Sequence, residues 1–166
     1  MSEQLLVSVP LDGGETVYVS PIGPYLRLQI VEQIDKANPL PRIEDYETPY
    51  INSLGLPLYP PETDSPIFMV AKLRVLQKRA NLLHEAIIDM GVVVDSPEGK
   101  AATTERFQPF IEKYQPGNPD DDLWLRIVKF CLITTEGDIQ TIVRAASNRV
   151  TPEEIRAGVK SFRRKI

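Results

Sequence analysis

The 166 residues suffice for one domain, or one domain with a small appendage, and a chain this long buries roughly 70% of its unfolded surface without metal or disulfide staples. A net charge of −4 excludes the strongly basic balance of a general nucleic-acid binder. A single cysteine, Cys131, excludes an internal disulfide framework and suits a reducing compartment.

In chain order, Met1 to Pro10 carry no basic segment followed by a long apolar one, so no secretion signal is expected. No later run approaches the ~20 apolar residues that span a bilayer. Leu5, Val7 and Val9 alternate with Leu6 and Ser8, the period of a half-buried strand. Thr16 to Val19 gives a second strand of β-branched and aromatic residues. Leu11-Asp12-Gly13-Gly14 between them suits a tight turn, so residues 1–20 read as a β-hairpin. Two strands alone are marginal in water and must pack on helices or pair with a partner's edge.

Residues 21–166 read as a helical body. Pro24 fits a first helical turn, and Tyr25, Leu28, Ile30, Val31 and Ile34 follow at helical spacing, predicting a helix from Pro24 to Ala37. A proline-rich connector, 38–66, cannot hold a long regular element. Asp64 or Ser65 then caps a long central helix from Pro66 to Met90, with Gly91 as its stop. Met69, Leu73, Leu76, Ala80, Leu83, Ile87 and Met90 repeat at steps of 4 and 3, which predicts a core-facing seam. A second row, Phe68, Val75 and Leu82, widens the apolar face. Shorter helices follow: Thr104 to Tyr114, weakened by Pro109; one opened by Asp120-Asp121-Asp122; one carrying Ile139, Ile142, Val143 and Ala146; and a last one behind the capping box Thr151-Pro152-Glu153-Glu154. The fold class is α+β, mostly α-helical: an N-terminal hairpin packed on a helical bundle with a long central helix.

Little here carries chemistry. His84, in the long helix, has no nucleophile or carboxylate at a motif spacing, and Cys131 sits among Trp124, Ile127, Val128 and Phe130 as a small hydrophobe. One histidine and one cysteine cannot make a zinc site. The Asp120 to Asp122 triplet lacks calcium-loop spacing and reads as helix capping, and Gly13-Gly14 lacks the rest of a phosphate loop. No catalytic, cofactor or metal site is expected, and the protein is read as a binder of other protein. The segments 138–146 and 152–163, with Arg144, Arg149, Arg156 and Lys160, also allow a weaker reading as a DNA-binding helix-turn-helix.

Leu6-Val7-Ser8-Val9-Pro10-Leu11-Asp12-Gly13-Gly14-Glu15-Thr16-Val17-Tyr18-Val19-Ser20-Pro21, leading into a helix, resembles the layout of the tail assembly chaperones of long-tailed bacteriophages, as do Val150 to Ile155 and Ser161-Phe162-Arg163. The resemblance implies a non-enzymatic chaperone in the host cytoplasm that coats the apolar, helical tape-measure protein and helps recruit tail tube subunits. Phe68, Val75 and Leu82, with Met69 and Met90, would then line the partner groove; the same five residues also fit a core. The hairpin edge offers a further contact, to the tube protein or to another copy. The connector is longer than that family's layout, which leaves open a structural virion component of the neck or tail end.

Overall fold

A computed structural model describes residues 6–93 and 97–147. The fold is α+β and mostly helical, with small antiparallel sheets. It divides into two compact units, Met1–Pro24 with Ile87–Ile166, and Tyr25–Ala86. The hairpin packs with the C-terminal helices in the first unit.

In the first unit, strands β1 (Val7–Pro10) and β2 (Thr16–Val19) pair antiparallel, with Val7 opposite Val19 and Val9 opposite Val17. The turn closes through Leu11 N–H to Glu15 O at 2.8 Å and Gly14 N–H to Leu11 O at 3.0 Å. Gly14 takes φ +92°, which a side chain would resist. Val9, Val17 and Val19 are buried, while Val7 stays partly exposed on the edge strand.

The third strand of this sheet, Val92–Val93, pairs with Val19 and Tyr18 and follows directly from the long helix. Gly91 is thus no left-handed stop. It is the last helical residue, and its role is close approach: a Cβ there would lie 3.3 Å from Ala146 Cβ and 3.5 Å from Ser20 O. Ser20 N–H donates to Gly91 O, and Ile22 N–H to Ala146 O, both at 2.7 Å.

The helices of this unit close over the sheet. Pro97–Tyr114 is longer than its sequence suggests, with Pro109 inside it. Asp122 caps Leu123–Ile127 by accepting Trp124 N–H at 3.0 Å, as the acidic triplet implies. The helix then widens into a π-helical turn, Val128–Leu132. The last described helix, Glu136–Ala146, packs on both β1 and β2. Ile87, Ile88, Ile111, Ile127, Val128, Leu132 and Ile142 complete the core. The capping box at Thr151 and the helix expected behind it lie outside the described residues.

In the second unit, helix α1 (Pro24–Ala37) and residues 66–86 of helix α2 (Pro66–Gly91) flank the connector. Ser65 caps α2: its hydroxyl accepts Phe68 N–H at 3.4 Å and donates to the Glu47 carboxylate. Phe68 is buried with the Tyr46 ring edge-on at 6.0 Å. Arg79 on α2 donates to the carbonyls of Asn38 at 2.8 Å and Asp35 at 3.3 Å, satisfying the open end of α1. The connector holds a two-stranded hairpin, Tyr50–Ile51 against Pro57–Leu58.

Candidate protein-binding surface

Titratable groups come first, because chemistry would need them. Lys129 points from the π-helical turn to Asp89 at 2.6 Å and Asp121 at 2.9 Å. Burial works against its charge, but hydrogen bonding and attraction from both carboxylates outweigh that and push its pKa up. It is a fixed cation within a structural triad. Asp138 is buried and accepts Asp12 N–H at 3.0 Å, Thr134 N–H at 3.1 Å and the Thr134 hydroxyl at 3.4 Å. Burial alone would raise its pKa; the amides of Asp12, Thr134 and Thr135 outweigh it and lower it. The Thr135 hydroxyl accepts Asp138 N–H and donates to Asp12 Oδ2 at 2.6 Å, so the hairpin turn is tied to the start of the last helix. Burial pushes the Cys131 thiol up, away from the reactive thiolate. Among the described residues no His, Cys, Asp and Glu cluster could hold a metal ion, and no helix is long and apolar enough to cross a membrane.

The apolar surface is where the molecule departs from an ordinary globular protein. Most of the exposed large apolar side chains among the described residues lie between 25 and 86, and in that stretch Phe68 is the one buried hydrophobic residue. Helix α1 has no buried residue at all, and displays Tyr25, Leu26 and Leu28. On α2, Ile67, Val70, Leu73 and Leu76 are exposed at successive three-residue steps, with Ile67 at 69% and Leu73 at 59%. Such steps form one ridge along a helix, the kind that packs into a partner helix's grooves.

The connector adds a third apolar feature. Asn52 Oδ1 accepts the amides of Leu54 at 3.0 Å and Leu56 at 2.9 Å, and Asn52 N–H donates to Leu56 O at 3.0 Å. Gly55 supplies φ +75°. These bonds hold a turn whose outer residues are apolar, with Leu54 81% exposed at the tip and Tyr50, Ile51, Leu56 and Leu58 beside it. Turns normally show polar residues to water, so a braced apolar turn points to a contact.

The five residues expected to line a partner groove differ in how far they are exposed. Phe68 is buried against Tyr46 and so unavailable to a partner. Met69, Val75 and Leu82 are half-buried. Met90 is exposed but belongs to the first unit. The expected seam is unevenly covered: Leu73 and Leu76 are exposed, Ala80 and Leu83 are half-buried, and Ile87 is buried. Spacing identifies which residues share a face of α2; the connector decides which face is covered. Ile67 and Val70 were missed because neither belongs to the regular 4-and-3 seam. The connector turn had a signal in Asn52-Ser53-Leu54-Gly55 between apolar residues. No family model, curated protein or solved structure matches the chain.

Proposed function

We propose that this chain is a non-enzymatic tail assembly chaperone of a long-tailed bacteriophage, acting in the host cytoplasm. It binds an apolar helical segment of the tape-measure protein, keeps it from aggregating, and assists assembly of the tail tube around it. The observation that carries this reading is the second unit, which leaves the ridge of α2 and Tyr25, Leu26 and Leu28 of α1 exposed. Large exposed apolar faces mark partner sites. A helix laid along the α2 ridge would bury its own apolar stripe, the helix-in-groove mode. A 14-residue helix is also near the length below which isolated helices are marginal in water, so α1 gains from being covered. The phage setting rests on the layout of the N-terminal hairpin running into the helix at Pro24.

Co-expression with the tape-measure protein of the same genome tests it. The expected result is that the tape-measure protein becomes soluble only in the presence of this chain, and that the two co-purify. Equal solubility with and without it, together with recovery of this chain from purified virions, would replace the chaperone with a structural component of the neck or tail end.

A further inference from the structure

We draw no further inference here: the strongest candidate, the cavity of about 380 Å³ between β2, the Pro97–Tyr114 helix and Trp124, points to no ligand, because the Trp124 indole N–H, which has no acceptor among the described residues, is buried and so not presented to the cavity, and Lys100 on its wall already lies 4.0 Å from the Asp122 carboxylate.

Discussion

The two units solve opposite problems with the same residue types. In the first, valines and isoleucines from distant parts of the chain converge: β1 and β2 meet a strand that follows α2, and the Glu136–Ala146 helix closes over them. In the second, Phe68 is the one buried hydrophobic residue, many large apolar side chains stay exposed, and polar joints tie the segments: Ser65 to Glu47, Arg79 to the carbonyls at the end of α1, Asn52 across its own turn. One unit is held together by its core. The other is latched by hydrogen bonds at its ends and so keeps its apolar faces available.

Substitutions can break this contrast. Ile142→Ala should cost about 2–5 kcal/mol in denaturant melts, because its side chain is fully buried. Lys129→Met should come next, at about 2 kcal/mol after allowing for water at Asp89, since it leaves two carboxylates facing each other without their cation. Asp138→Ala should cost about 1–2 kcal/mol by stranding the amides of Asp12 and Thr134. Leu73→Ser, in the second unit, should change stability by no more than about 0.5 kcal/mol while weakening partner binding. A Leu73→Ser loss as large as that of Ile142→Ala would mean that the ridge is core after all.

Acidity sharpens the same contrast, because the depressed carboxyl lies in the first unit. Asp138 has a folded pKa below its unfolded value, so its contribution is present above the unfolded pKa and is lost as pH falls through the folded one. Thermal melts from pH 7 down should therefore steepen below about pH 4, and Asp138→Asn should flatten that limb. Lys129 works in the other direction. Its raised pKa keeps its contribution whole below the unfolded lysine value, and it is lost only as pH rises through the folded one.

What was legible in the sequence was what is decided locally. Pro24 and Ala37 bound α1, Ser65 caps α2, Asp122 caps its helix, and Gly14 turns the hairpin, each through a residue acting on its near neighbours. What was not legible depends on distant partners. Val92 and Val93 form a strand only because β2 lies alongside, and Thr135 caps its helix while also reaching Asp12, 123 residues away. The candidate surface was half visible: the apolar residues of α2 could be read from their spacing, but not that Phe68 faces in and Leu73 out.

The junction of Ser20, Ile22, Gly91 and Ala146 has a consequence in time. During synthesis the hairpin strands leave the ribosome long before Val92, and longer still before Ala146, without which their buried faces are uncovered. At common translation rates that wait is roughly ten seconds. The stretch between, Tyr25 to Ala86, needs no later residue for its latches and can form as it emerges. The first folded part of the nascent chain is then the part that displays apolar helices. On the chaperone role proposed above, association with a partner synthesised nearby would begin before the rest of the molecule has closed.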